Sequence, residues 1–455
     1  MTTPSVPSSV PPPGCPAHGS GQRIPLDTAE FAADPHAFYR YMRQFGPTAP
    51  VTIAPGVDAT LVTDYSAALE LLQDPSTFRK DSRRWRALNE GRISPDSPVL
   101  PLLAYRPNCM FTDGAEHLRL RQAITESFTR VSNSRLSKIV NQAALFLINQ
   151  FSARGSADLL RDYAQQLPLY VFNELFGCPA EIGDRVLFGI SGMFDGVNAE
   201  QASQVLVQAV GELVALKRAQ PGEDITSYLM QHSAQLTNEE LVHTLVLLLG
   251  AGGEPEGNLI GNGFYTMLTN EEYARNGQFD KALDDTLWRN APMSNYAPHY
   301  PVADTDVAGD KVHAGELVLV SFGAANTALA DRGADTRGHL AWSAGPHACP
   351  SKEPARLIAL TGLEALFNAL PDVELAVPAD SLVWRPGPFN RALASLPVRF
   401  GAVTPRPAAR PQPAAVPQHD QAHHSVPAGP AASQATGGKP GRSGWSGFVR
   451  WLTGQ

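Results

Sequence analysis

The segment from His339 to Arg356, HLAWSAGPHACPSKEPAR, sets one cysteine, Cys349, in a loop stiffened by glycine and proline directly before a helical pattern. The thiolate is the form of cysteine that binds metals, and backbone N–H groups at a helix N-terminus favour it. Pro350 suits the first helical turn, where its missing N–H is not needed, and Gly345 lets the backbone approach the sulfur. Taken alone, a cysteine so placed reads as a buried structural residue in a turn. Only further residues arranged for the same chemistry make it a metal ligand.

Such residues have to be carried by neighbouring elements. FTDGAEHLRLRQAITESF puts His117 and Arg121 at i and i+4, on one face of one helix, where two donors can clamp a carboxylate; Arg119 marks the alternative of an ordinary solvated basic face. LVHTLVLLLGAGGEPEGNLIGNGF is a continuous apolar run relieved by small residues, the pattern of a long helix buried through a domain and too short to span a bilayer uninterrupted. Within it, Glu254 and Glu256 flank Pro255, which removes a helical hydrogen bond and predicts a kink or widening. A helix and turn follow in KALDDTLWRNAPMSNYAPHY, then a strand over Leu317 to Phe322, a helix in RLIALTGLEALFNALPDVEL stopped at Pro371, and a strand-rich end in PGPFNRALASLPVRF.

In this order the motifs resemble the cytochrome P450 family over about Pro35 to Phe400. The resemblance implies a mainly α fold, with a large helical region and a smaller β-sheet region, built around haem b (iron protoporphyrin IX). Cys349 would be the axial ligand within a loop that also carries Trp342, Gly345 and His347, and His117, Arg121, His299 and His347 would meet the propionates. Thiolate ligation favours O–O cleavage once oxygen is bound. Ala251, Gly252 and Glu254 match the oxygen-handling motif, with small residues against the haem and Glu254 as the acid; Pro255 replaces the usual alcohol. The Glu-x-x-Arg pair is also altered, with Thr286 three residues before Arg289, leaving Asp284 or Asp285 as partners for that arginine. The implied activity is monooxygenation of a small hydrophobic or peptide-derived molecule, with electrons from a ferredoxin-type partner. The two departures support an alternative, a catalytically weakened haem-binding regulatory or scaffold protein acting with a signalling partner.

Length alone would suggest two or three domains, whereas the resemblance implies one large, mostly helical unit with a smaller β region. Of 455 residues, 43% are hydrophobic and 18% charged, enough for a substantial core, and a net charge of −8 argues against a nucleic-acid-binding face. Cys15, Cys109, Cys178 and Cys349 show neither zinc-type spacing nor a disulfide framework, which fits a reducing cytoplasm. Residues 1–24 read as a flexible leader, 25–402 as a single haem-thiolate domain, and 403–441 as a disordered Pro/Ala-rich linker. Residues 442–455 restore Trp445, Phe448, Val449 and Leu452 on one helical stripe, a short amphipathic aromatic segment suited to a protein partner or a membrane surface.

Overall fold

The computed structural model describes residues 11–13, 22–195, 199–333, 336–408 and 411. The chain divides into a unit spanning Met1–Pro413 and a second, Ala414–Gln455. The second unit lies outside the described residues, and with it the aromatic segment 442–455, most of the expected linker and most of the expected leader.

The first unit is mainly α, as the order of motifs implies, with 54% of the chain helical beside smaller sheets. Its axis is the helix Asn238–Thr269, opened by a capping box in which Thr237 accepts from the Glu240 N–H and the Glu240 carboxylate accepts from the Thr237 N–H. The small residues foreseen in this helix are where neighbours touch it. A Cβ added at Gly257 would stand 3.2 Å from the Ala164 carbonyl oxygen, and one at Gly261 2.5 Å from Leu160. The helix is continuous through Pro255, whose missing N–H deprives the Ala251 carbonyl of its intrahelical donor. Against it pack the helices Leu167–Leu175, Ala180–Asp195, Ala199–Ala219, Phe279–Arg289 and Lys352–Ala369, which share the largest apolar cluster. Lys352–Ala369 starts three residues after Cys349 and ends ahead of Pro371, as the sequence predicts.

A six-stranded mixed sheet flanks the helices in the order Ile24–Pro25, Thr48–Ala54, Val57–Val62, Val318–Ser321, Asn295–Pro301, Phe78–Arg79. Thr48–Ala54 and Val57–Val62 form a local antiparallel hairpin, whereas Val57–Val62 pairs in parallel with Val318–Ser321, Thr60 opposite Val318. The antiparallel pairing of Phe78–Arg79 with Asn295–Pro301 brings the lysine after the first strand and the histidine within the second close to each other and to the cysteine loop. Beyond residue 402 the chain still holds the helical body: the Val403 N–H donates to the Ser152 carbonyl and the Arg406 N–H to Asn149 Oδ1. Among the described residues no helix is long and apolar enough to cross a membrane.

Candidate functional site

The loop before Lys352–Ala369 closes on itself. The Cys349 N–H donates to the Trp342 carbonyl at 2.8 Å and the Ala348 N–H to Gly345 at 3.1 Å. Ser343 and Gly345 sit in the left-handed region at φ +60° and +67°. Gly345 is needed for a contact other than the one foreseen. A Cβ there would lie 2.1 Å from the Leu72 carbonyl oxygen, at the end of the helix Tyr65–Gln73, so the glycine lets the loop dock on that helix.

Cys349 is a free thiol, half-buried by accessibility. Burial pushes the thiol up to about 11; a hydrogen bond from the Ser351 N–H and the charges of Arg121 and Lys352 oppose this, while nearby Glu256 acts with it. The helix terminus therefore does contribute, as expected, yet desolvation wins. In the protein alone the sulfur keeps its proton; a bound metal cation would displace it.

Four of the predicted basic residues converge, joined by a fifth. His117 is buried, its Nδ1 2.8 Å from the Cys109 carbonyl oxygen and its Nε2 3.2 Å from that of Pro346, and its ring lies 3.8 Å from that of His347. Arg121 Nη2 donates to the Ala348 carbonyl at 2.6 Å, so both members of the i, i+4 pair hold the cysteine loop. His299, buried in its strand, bonds the Ala297 carbonyl oxygen through Nδ1 at 2.7 Å. Burial, then the charges of Lys80, His117, His299 and Arg121, hold the His347 imidazole far below the usual histidine range. Burial first, then Lys80, likewise pull His299 down. Lys80 is the residue sequence reasoning missed: in the charged run FRKDSRR it reads as solvated, yet it is 4% exposed. Burial pulls its ammonium down to about 7 against the opposing charge of Asp113, and no carboxylate reaches it at ion-pair distance among the described residues. Five basic groups share one partly desolvated space, and among the described residues none of them forms an ion pair with a carboxylate, an arrangement that suits a ligand bringing its own carboxylates.

The central helix supplies the opposite wall. Ala251 is exposed midway along an otherwise buried helix, so that face opens on free space. Gly252 lies against the Phe172 ring, 2.9 Å from where a Cβ would be. Glu254, the expected acid, is committed elsewhere: it forms an ion pair with Arg385 and accepts from Asn258 Nδ2 at 3.2 Å. Glu256 carries the spare capacity. It is 5% exposed, its Oε1 has no hydrogen-bond partner among the described residues, and burial raises its carboxyl well above the usual range.

The altered pair is also rearranged. Arg289 is not buried; its side chain is 43% exposed and meets Asp285 at 3.1 Å and Asp331 at 3.2 Å. The side chain pointing inward is Trp288, one residue earlier, whose Nε1 donates to the Thr336 carbonyl at 2.7 Å and whose ring meets His339 edge-on at 5.7 Å. Read in that register, the pair is Asp285-x-x-Trp288. Asp284 is taken by Arg356 and Arg337. Asn326 completes the support, donating to the Leu287 carbonyl at 3.2 Å and accepting from the Leu340 N–H at 2.7 Å.

A helical body around one long axial helix, a flanking mixed sheet, and a cysteine loop ringed by basic residues together define a haem-thiolate protein. The chain belongs to the cytochrome P450 family. It is 32% identical over 395 residues to the cytochrome P450 monooxygenase PikC of Streptomyces venezuelae, covering 82% of this chain and 92% of that protein. It is 29% identical over 396 residues to the vitamin D(3) 25-hydroxylase of Pseudonocardia autotrophica, covering 83% and 96%. The solved structure of CYP154C4 from Streptomyces sp. W2061 superimposes with a TM-score of 0.75 at 29% identity, over 84% of this chain and 99% of that one. No family model matches the chain. The family binds haem b through a cysteine thiolate, and the curated relatives are monooxygenases, which supports the oxidoreductase reading and not the regulatory alternative.

Proposed function

We propose that this protein oxidises a hydrophobic small molecule with Cys349 as the axial sulfur ligand of its haem and Lys80, His117, Arg121, His299 and His347 as the cradle of the two propionates. The observation that carries this reading is the free Cys349 thiol set beside five basic groups that form no ion pair with a carboxylate among the described residues. The haem supplies iron-centred activation of O2. The chain holds the loop in place through the Arg121 and His117 contacts, presents Ala251 and Gly252 as small walls, and stores a proton on the Glu256 carboxyl. Glu254, the acid at the family's position, can release a proton only by giving up Arg385. With Pro255 offering neither hydroxyl nor N–H, coupling of electrons to product is low with ordinary donors.

The small hydrophobic or peptide-derived substrate, the ferredoxin-type electron donor and the docking of residues 442–455 on a protein partner or membrane surface belong to the same proposal. The likeness to the vitamin D(3) 25-hydroxylase supports an apolar substrate. The reduced carbon monoxide difference spectrum tests the core of it. The wild type should show the thiolate band and Cys349→Ala should lose it while keeping its helical circular dichroism; an unchanged band in the variant refutes the ligand assignment. Glu256→Gln should then raise peroxide formed per NADH consumed more than Glu254→Gln does; equal effects refute the proton store.

A further inference from the structure

A second basic pocket lies outside the cysteine cluster and shares no residue with it. The helix Pro35–Arg43 places His36, Arg40 and Arg43 at i, i+4 and i+7, one face of the helix. With Arg289, Trp384 and Arg391, that face lines a concavity of about 280 Å³. Arg391 is its floor: 8% exposed, stacked 3.4 Å over the Trp384 ring, donating from Nη1 to the Ala32 carbonyl and from Nε to Asn290 Oδ1 at 3.4 Å. These partners are neutral, and no carboxylate meets Arg391, Arg40 or Arg43 at ion-pair distance among the described residues. Arg43 donates to the Ala324 carbonyl at 2.7 Å, and His36 Nδ1 is buried without a hydrogen-bond partner. The pocket's one acidic lining residue, Asp331, is occupied by Arg289.

Arg391 is a buried cation whose hydrogen-bond partners are all neutral, and Arg40 and Arg43 add positive charge that the one lining carboxylate, Asp331, already bonded to Arg289, offsets only in part, so a further anion is favoured there. Guanidinium forks approaching from the N-terminal helix, from the end of Phe279–Arg289 and from the floor match a tetrahedral oxyanion, which takes bonds from several directions, better than a planar carboxylate. A small anion also reaches the floor, which the side chains of an acidic protein surface reach less readily. We infer that this pocket binds a small phosphate-class anion, pyrophosphate or a phosphate ester, at a site separate from the haem. Its occupancy ties the Pro35–Arg43 helix to the segment Trp384–Arg391 and raises the stability of the fold by mass action.

The test is titration calorimetry of the full-length, haem-loaded protein with inorganic pyrophosphate, and in a second arm orthophosphate, at ionic strength held constant with sodium chloride. One saturable site is expected, weakened by roughly tenfold or more in Arg40→Ala/Arg43→Ala, which removes two charge-assisted contacts to the anion. Arg391→Lys should weaken it as well, since the charge stays and the fork is lost. Circular dichroism and the carbon monoxide spectrum of the double variant should match wild type. The proposal is overturned by any of three results: no saturable binding up to millimolar concentrations, equal affinity in the double variant, or tighter binding of an oligoglutamate peptide than of pyrophosphate.

Discussion

The docking of the cysteine loop on Leu72 makes Gly345→Ala a sharp test of the site's construction. Two costs separate cleanly, because Gly91 has nearly the same backbone angle, φ +68° against +67°, with nothing within 4 Å of a Cβ built there. Forcing an L-residue into that region costs about 1–2 kcal/mol, and Gly91→Ala should show this alone. At Gly345 the new Cβ would meet the Leu72 carbonyl oxygen at 2.1 Å, and because the obstacle is backbone rather than a flexible side chain, the loop or the helix end has to move. Overpacking of this kind adds about 1–3 kcal/mol, for a total of roughly 2–5. The unfolding entropy of a unit of this size is about 0.9 kcal/mol/K, so the drop in melting temperature is roughly 1–2 °C for Gly91→Ala and roughly 2–6 °C for Gly345→Ala. Scanning calorimetry reads both, and the reduced carbon monoxide spectrum adds a local signal: displacing the loop disturbs the Cys349 N–H bond to Trp342 and lowers the thiolate band in Gly345→Ala only. Equal melting shifts and equal bands in the two variants would refute the docking argument.

Three further outcomes follow from other parts of the fold. Lys217 and Asp224 form an ion pair at 2.8 Å with side chains 7% and 5% exposed; Lys217→Met should cost about 3–5 kcal/mol in urea denaturation, and a cost under about 1 would show the pair to be hydrated. Trp288→Ala should cost about 3–5 kcal/mol and Arg289→Ala less than about 1, and the reverse ranking would restore Arg289 to the buried position. Burial, then the charge of Arg106, pulls His243 down from 6.5 to about 4. The unfolded chain therefore binds a proton that the folded chain refuses in this window. Its share of stability is full above pH 6.5 and falls toward pH 4, by up to about 1.4 kcal/mol per pH unit. Stability measured across that window should show a shallower slope in His243→Gln, and an unchanged slope refutes the assignment.

What the sequence discloses about this protein is what local pattern encodes. Apolar periodicity locates the helix Asn238–Thr269, the proline after Leu370 marks the end of Lys352–Ala369, and the β-branched run predicts Val318–Ser321. The i, i+4 spacing puts His117 and Arg121 on one face, and both reach the cysteine loop. Residues whose role depends on distant neighbours escape. Lys80 becomes part of the cluster only because Phe78–Arg79 pairs with Asn295–Pro301, more than 200 residues away. The inward position of Trp288 instead of Arg289 is a one-residue difference in helical phase, which a motif with two altered members cannot fix. The resemblance favours Glu254 over Glu256 as the acid; the partner that commits Glu254, Arg385, lies in a segment whose packing no local pattern reveals.

Pro255 shows how the same helix can break a local rule and still stand. Proline in a helix interior costs about 3 kcal/mol or more, through a lost hydrogen bond and a clash with the carbonyl four residues back. Each fully buried leucine, isoleucine, phenylalanine or methionine returns about 1.5–3 kcal/mol, and the helix buries Leu245, Leu249, Leu259, Ile260, Phe264 and Met267 on either side of the proline. Tertiary packing therefore overrides the local penalty, and the helix stays continuous while the disturbance stays local. The carbonyl deprived of its donor belongs to Ala251, which is also where the helix face is exposed. The packing on either side of it is thus why the proline frees one backbone carbonyl without collapsing the helix.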